Sequence, residues 1–215
     1  MVQPNLDPST GRMTVDCLDY RWVSSREHAI ILEYGPGVAG AKWFDLMMNA
    51  LAAGEVPLQY IGVSNGPFAN QFLVDSFVTQ LEERLGSGMG ELATSGQLFI
   101  PREDGMVQAT KGMLATPQAT GTHEICDLIL LTAVHKADPR QLEQTIALSP
   151  QLLRPDGRLL LSAPLTQVGP GMTTFGQELE WARQAGYTVE WQGQAETGDA
   201  KLGTATTSGF AALRK

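Results

Sequence analysis

The residues whose types and spacing best suit chemistry form a glycine turn in the first fifth of the chain. Gly35, Gly37 and Gly40 satisfy the pattern GxGxxG directly after the apolar run of residues 29–34. Glycines at this spacing allow a tight strand-to-helix turn whose backbone can approach a nucleotide-like ligand closely. An ordinary helix-breaking turn gives the same string, so the pattern alone leaves the ligand open.

Other candidate side chains follow or precede apolar runs. His135 follows the run of residues 125–132, where a histidine could remove a proton from an attacking hydroxyl or amine. Tyr20 and Trp22 precede the first apolar run and could stack on a substrate. The alternatives are a solvated loop histidine and ordinary packing of the N-terminal segment. The histidines lie far apart and no HExxH or CxxC occurs, so we expect no dedicated metal site.

The elements that must position these residues alternate between strands and helices. Short apolar runs predict strands, and apolar residues at helical spacing predict the helices between them. The predicted strands are 29–34, 58–63, a weak third strand at 106–111, 125–132, 158–163 and a closing pair at 187–194 and 206–213; the predicted helices are 39–54, 67–85, one after Asp138-Pro139, and 174–185. Residues 86–105 are predicted as a long glycine-rich loop. This order predicts one doubly wound α/β domain.

Composition limits the class of protein. The chain has 215 residues with 43% hydrophobic and 18% charged residues, which is typical of one globular domain. Its formal charge of -8 disfavours nucleic acid as a partner, because phosphate binding needs the opposite sign. Neither a secretory signal nor an apolar run of ~18 residues is present. With Cys17 and Cys126 interpreted as two unpaired thiols, we expect a cytoplasmic protein away from the membrane.

Three stretches together resemble the class I S-adenosylmethionine-dependent methyltransferase family. Residues 31–37 (ILEYGPG) are similar to its first motif, 126–131 (CDLILL) to its fourth strand, and 153–161 (LRPDGRLLL) to the turn into its fifth. The resemblance implies a seven-stranded, mostly parallel Rossmann-like sheet with a terminal antiparallel strand pair. It also implies S-adenosylmethionine as cofactor, held by Glu33, Gly35 and Gly37.

The same resemblance identifies two positions where this chain departs from the family. Family members usually carry an acidic residue after the second strand for the ribose hydroxyls, where this chain has Ser64 and Asn65. They often carry another near the adenine, and the alignment places Met113 there. A nicotinamide dinucleotide is the rival ligand, but it too needs an acid where Ser64 stands. A P-loop is excluded because GxxxxGK[ST] is absent.

Two functional hypotheses follow from the resemblance. The first is methyl transfer to a small molecule or peptide, with His135 as the base. The second is a methyltransferase-like domain without methylation activity, serving as a binding or scaffold subunit or as a cyclase-type enzyme. We divide the chain into a lead, 1–28, that could cover the active site, and one domain, 29–215. Acceptor specificity is then expected from the lead, from loops 86–105 and 164–173, or from a second subunit in a homodimer.

Overall fold

A computed structural model describes part of the chain. It describes residues 5–7, 12–14, 30–35, 59–64, 79, 83, 98–101, 105–115, 124–131, 134, 137–199 and 204–215. The strands are β1 (Asn5–Asp7), β2 (Arg12–Thr14), β3 (Ile30–Tyr34), β4 (Gln59–Ser64), β5 (Leu98–Pro101), β6 (Cys126–Leu131), β7 (Leu153–Pro164), β8 (Thr188–Asp199) and β9 (Thr204–Arg214). The helices are α1 (Met106–Ala115), α2 (Pro139–Leu148) and α3 (Phe175–Gln184), with a 3-10 turn at Ser149–Gln151.

The central sheet has the order β5-β4-β3-β6-β7-β9-β8. The five strands from β5 to β7 pair in parallel, and β9 is antiparallel to both β7 and β8. This mixed sheet with helices between its strands confirms the predicted Rossmann-like α/β class. The closing pair is the hairpin β8–β9, and its two strands are longer than the apolar runs that predicted them.

Both faces are buried in the central strands β3 and β6, as their near-continuous hydrophobicity predicts. All six positions of β6 are buried, although successive side chains point to opposite faces. Leu32 and Tyr34 join the cluster that packs under α1, α2 and α3, while Ile31 and Glu33 are buried on the other face. Residues 39–54, the predicted first helix, lie outside the described residues, and Thr79 and Glu83 of the predicted second helix are helical.

The prediction for the third strand is wrong in position. Residues 106–111 belong to α1, whose buried residues Met106, Val107, Thr110 and Met113 recur at helical spacing. The strand is β5, Leu98–Pro101, inside the segment predicted as a loop. It is a four-residue edge strand that ends in proline, which an edge position tolerates. Such a short run between polar stretches gives a weak signal in sequence.

Asp127 joins three strands at the amino edge of the sheet. Its Oδ2 accepts the backbone N–H of Ile30 at 2.9 Å and Nη1 of Arg154 at 2.8 Å. Arg154 lies in a bulge of β7, because Leu153 pairs with Cys126 whereas Arg158 already pairs with Leu128. Residues 155–157, in the stretch that resembles the turn into the fifth strand, therefore belong to a bulge within β7. The buried carboxylate fixes β3, β6 and β7 in register.

The helix ends follow the sequence signals closely. Asp138 caps α2 by accepting the N–H of Arg140 at 2.9 Å, and Pro139 takes the first helical position. Thr174 and Gln177 form a capping box at the start of α3. Both predicted helices are confirmed. The lead contains the antiparallel hairpin β1–β2, with β2 next to β8.

Two further findings concern cysteine and membrane propensity. Cys126 is a free, buried thiol whose pKa is raised by burial, so it confirms the predicted unpaired state for this residue. Cys17 lies outside the described residues. Among the helices that the structure describes, none is long and apolar enough to cross a bilayer.

Candidate functional site

The candidate site lies at the carboxyl edge of the sheet, where β3 and β6 end side by side. Strand order runs outward from β3 to β4 and β5 in one direction, and from β6 to β7 in the other. This reversal is a topological switch point, and open α/β sheets bind ligands in the crevice that it leaves at the carboxyl ends of the strands. The predicted glycine turn follows β3 directly. The topology therefore places the turn where a ligand is expected.

Gly35 connects the ends of three strands at this edge. Its φ is +64°, a left-handed conformation that favours glycine. Its N–H donates to the carbonyl oxygen of Val63 in β4 at 2.9 Å. A Cβ at this position would lie 3.2 Å from Cγ1 of Val134, which follows β6. The turn thus needs glycine both for its backbone angle and for its close approach to the neighbouring strand end.

Glu33 is a buried acid two residues before the turn. It is 3% exposed and lies between Gly62 of β4 and Leu130 of β6 in the strand register. Gly62 carries no side chain, so β4 contributes only backbone beside Glu33. A carboxylate at this position could accept a hydrogen bond from a cationic ligand group at the switch point.

Ser64 is the last residue of β4 and pairs with Pro101, the last residue of β5. The predicted ribose position therefore stands at the carboxyl edge, one strand away from Gly35. The sequence continues after Pro101 with Arg102, Glu103 and Asp104. These two carboxylates were not considered as site residues from the sequence, because the third strand was predicted at 106–111 and not before them.

Met113 does not follow a strand. It lies in the last two turns of α1, is 9% exposed, and belongs to the hydrophobic cluster under the sheet. The alignment that placed it after the third strand is wrong, because that segment is helical. The prediction that Met113 contacts a cofactor rested on that alignment and has no other support.

The remaining predicted site residues lie outside the described part of the chain. They are Gly37, Asn65, His135, Tyr20 and Trp22. The structure brings Glu33, Gly35 and Ser64 to neighbouring strand ends. Within the same described part, no group of three His, Cys, Asp or Glu side chains could hold a metal ion.

A buried hydrogen bond holds α1 against β3 just below the glycine turn. The hydroxyls of Tyr34 and Thr110 lie 2.6 Å apart, and Thr110 also donates to the carbonyl oxygen of Met106 at 2.8 Å. Burial raises the pKa of the Tyr34 phenol, so it stays neutral and can donate. Tyr34 immediately precedes Gly35. The bond therefore fixes the residue from which the turn departs.

The order of the strands distinguishes this sheet from the dinucleotide-binding fold. The dinucleotide-binding fold has six strands in the order 3-2-1-4-5-6. Here the last strand, β9, is inserted antiparallel between β7 and β8. The sheet differs from the dinucleotide fold at this end, as the predicted terminal strand pair required.

Comparison with solved structures identifies this arrangement. The N-methyltransferase NodS from Bradyrhizobium japonicum is 16% identical, with 91% of this chain and 92% of that chain covered and a TM-score of 0.58. A Burkholderia thailandensis 1,6-didemethyltoxoflavin-N1-methyltransferase with bound S-adenosylhomocysteine is 18% identical, with coverages of 91% and 76% and a TM-score of 0.51. The chain has the class I S-adenosylmethionine-dependent methyltransferase fold.

The methyltransferase fold does not by itself select one reaction. The [4+2]-cyclase SpnF is also similar, at 14% identity with coverages of 100% and 87% and a TM-score of 0.57. No protein-family model matches the sequence, and no curated protein matches it. The assignment of the methyltransferase fold therefore rests on structural similarity.

Proposed function

We propose that the chain binds S-adenosylmethionine at the switch point and transfers its methyl group to a small molecule or peptide. The observation that carries this proposal is the Gly35 turn. It combines a left-handed φ of +64° with a position between the ends of β3, β4 and β6, in a methyltransferase fold. A neighbour of the same fold is described with S-adenosylhomocysteine bound.

We infer that three of the described residues would meet the cofactor from two sides. Glu33 would accept a hydrogen bond from the ammonium of the methionine part, and the Gly35 backbone would lie against that part. Ser64 would meet the ribose hydroxyls with a neutral hydroxyl. The sulfonium supplies an already activated methyl group, so the chain itself has to align the acceptor and remove a proton. His135 is the base predicted from the sequence.

Methyl transfer is tested by the formation of S-adenosylhomocysteine. The purified chain is incubated with S-adenosylmethionine and a panel of small amines, phenols, thiols and short peptides, and the product masses are measured. We expect one acceptor class to gain the mass of one methylene, with equimolar S-adenosylhomocysteine. Turnover should fall by about 10²–10⁴-fold in His135→Ala, as expected for loss of a general base. Cofactor binding with no methylated product from any class would contradict methyl transfer.

A second candidate function is favoured by Ser64. An acid at this position would add a charged hydrogen bond worth about 1.5–3 kcal/mol, against roughly 1 kcal/mol for a neutral one. A domain that uses the cleft without methylation, as a binding subunit or a cyclase-type enzyme, has less need for that contact. The similarity to SpnF favours the cyclase form of this alternative.

Variants of Ser64 separate the two candidates. If the serine is a working ribose contact, Ser64→Asp should tighten S-adenosylhomocysteine binding by about tenfold and Ser64→Asn should not. If the domain has abandoned the cofactor, wild type should not bind measurably and Ser64→Asp should create binding. Tight binding that is equal in all three forms would contradict a role for position 64.

The proposed function also suggests the partners of the chain and its location in the cell. The acceptor is a small molecule or peptide, and a second copy of the chain could complete its pocket. The free buried thiol of Cys126 suits a reducing compartment, so we propose the cytoplasm.

A further inference from the structure

The loop between β7 and α3, residues 165–174, lies at the same edge of the sheet as the glycine turn. The N–H of Leu165 holds its start by donating to the carbonyl oxygen of Thr207 at 2.9 Å. Val168 in its middle is 54% exposed, and Gly171 has a φ of +72°. Thr173 near its end is buried. The loop is therefore an exposed segment fastened at both ends.

The fastening at the far end is a buried carboxyl group. Glu178, in the first turn of α3, has 0% exposure, and the hydroxyl of Thr173 donates to its Oε1 at 2.6 Å. Its Oε2 is also buried and has no hydrogen-bond partner among the described residues. A buried ionised carboxylate with an unpaired oxygen is far more costly than a neutral acid. The geometry therefore favours the protonated form.

Among the described residues, the elements that make the main contacts with α3 offer no buried counter-charge. They are α2, β7 and β9, and the core residues they contribute are apolar: Leu142, Ile146, Leu159, Leu161, Ala163, Ala211 and Leu213. Tyr187, a neutral phenol bonded to Ser149 at 2.7 Å, is the titratable member of this part of the cluster. Apart from Glu178, the charged side chains of α2, β7, β9 and α3 itself are exposed or half-buried. They are Arg140, Glu143, Arg154, Asp156, Arg158, Glu180, Arg183 and Arg214.

The balance of effects sets where Glu178 titrates. Burial raises its pKa to about 8, and the hydrogen bond from Thr173, which favours the ionised form, opposes this rise. Glu178 is thus mostly neutral at pH 7 and ionises within a mildly alkaline range. Ionisation places a charge on Oε2 in apolar surroundings, which water can relieve only if the loop end or the first turn of α3 opens.

We propose that the buried Glu178 carboxyl group is a proton-dependent latch: while it is neutral, the end of loop 165–174 stays packed against α3, and when it loses its proton the unpartnered charge on Oε2 costs more than the strengthened Thr173 bond gains, so the loop end opens. Because the loop borders the carboxyl edge, the latch makes access to that edge depend on pH. This device does not depend on the identity of the cofactor. Its test therefore uses the protein without any ligand.

Hydrogen exchange of the loop amides measures the latch directly. Protection factors for residues 165–174 are compared at about pH 6 and about pH 9.5, which lie on either side of the expected titration. We expect wild type to lose protection by at least about tenfold at the higher pH. Glu178→Gln, a neutral isostere, should show no such loss. Glu180→Gln on the exposed face of the same helix is the matched control and should behave as wild type.

The variant Thr173→Val provides a second, independent test of the proposal. Removing the donor that favours the carboxylate should move the titration of Glu178 to higher pH. The infrared band of the protonated carboxyl group, assigned by its loss in Glu178→Gln, follows this titration. A Glu178 that titrates near its ordinary 4.5 would overturn the proposal. So would a wild-type loop whose protection does not change with pH, or an unshifted titration in Thr173→Val.

Discussion

Substituting Gly35 by alanine should damage both the fold and the proposed site, and its cost can be worked from the structure. The φ of +64° is unfavourable for alanine by about 1–2 kcal/mol. The new Cβ would lie 3.2 Å from Cγ1 of Val134, so the end of β6 must move by a few tenths of an ångström. Overpacking of this kind costs about 1 kcal/mol or more. We expect the free energy of unfolding to fall by about 2–3 kcal/mol.

The matched control is the same substitution in a helix. Gly112 lies within α1, and a Cβ there would meet nothing within 4 Å. Gly112→Ala should therefore stabilise the protein by about 0.5–1 kcal/mol, because alanine has the higher helix propensity. The two identical chemical changes are predicted to have opposite signs.

Urea unfolding followed by circular dichroism measures both free energies. A double variant, Gly35→Ala with Val134→Ala, separates the two costs. The free energy of unfolding of the double variant should be lower than that of Val134→Ala by only the backbone cost of about 1–2 kcal/mol. If Gly35→Ala unfolds with the same free energy as wild type, that result would contradict the left-handed conformation of Gly35 at the switch point.

Three further predictions concern the support of the site. Asp127→Asn should destabilise the protein by about 2–4 kcal/mol in urea unfolding, because it breaks the buried ion pair with Arg154, whose guanidinium is partly solvated. As a control, Glu190→Gln in the more exposed pair with Arg158 should cost less than about 1 kcal/mol. Tyr34→Phe should cost about 1–2 kcal/mol, since Thr110 loses a buried partner, and a value near zero would contradict that bond. Because the pKa of Glu178 is raised from 4.5 to about 8, wild type should lose stability relative to Glu178→Gln as pH rises through that window, by at most about 5 kcal/mol. Parallel unfolding curves at all pH values would contradict this.

The strands that flank the switch point could be predicted because burial on two faces leaves a strong signal in sequence. β3 and β6 are near-continuous apolar runs, and one is followed by the glycine turn. The helices α2 and α3 could be predicted from their capping residues, Asp138 and Thr174, which satisfy the first backbone N–H groups in the structure. In these strands and helices, the local preferences of the residues agree with the burial that the tertiary structure gives them.

The edge of the sheet beyond β4 could not be predicted, for a physical reason. β5 has only four residues and one neighbouring strand, so its apolar run is too short for an alternation to be counted. α1 begins with Met106 and Val107, and a short apolar start fits a strand as well as a helix. The error moved the third strand by several residues. Met113 was consequently aligned with the position after the third strand, and the acids that follow Pro101 in the sequence were not considered.

Glu178 was missed because a glutamate in a helix is ordinarily interpreted as a surface residue. A signal was nevertheless present in its spacing. It stands three residues after Phe175 and four before Ala182, both of which are buried, and so lies on the apolar face of α3. An acid on the buried face of an amphipathic helix is unusual enough to be examined as a functional residue.

Calorimetric titration of S-adenosylhomocysteine into the purified chain tests the central claim most directly. We predict saturable binding at one site per chain in wild type. Gly35→Ala, which alters the turn at the switch point, should weaken it by about tenfold or more, corresponding to about 1.4 kcal/mol. Gly112→Ala, in α1 where the new Cβ would meet nothing within 4 Å, should bind as wild type does. Absence of heat at millimolar ligand, or equal affinity in Gly35→Ala and wild type, would contradict a cofactor site at the junction of β3 and β6.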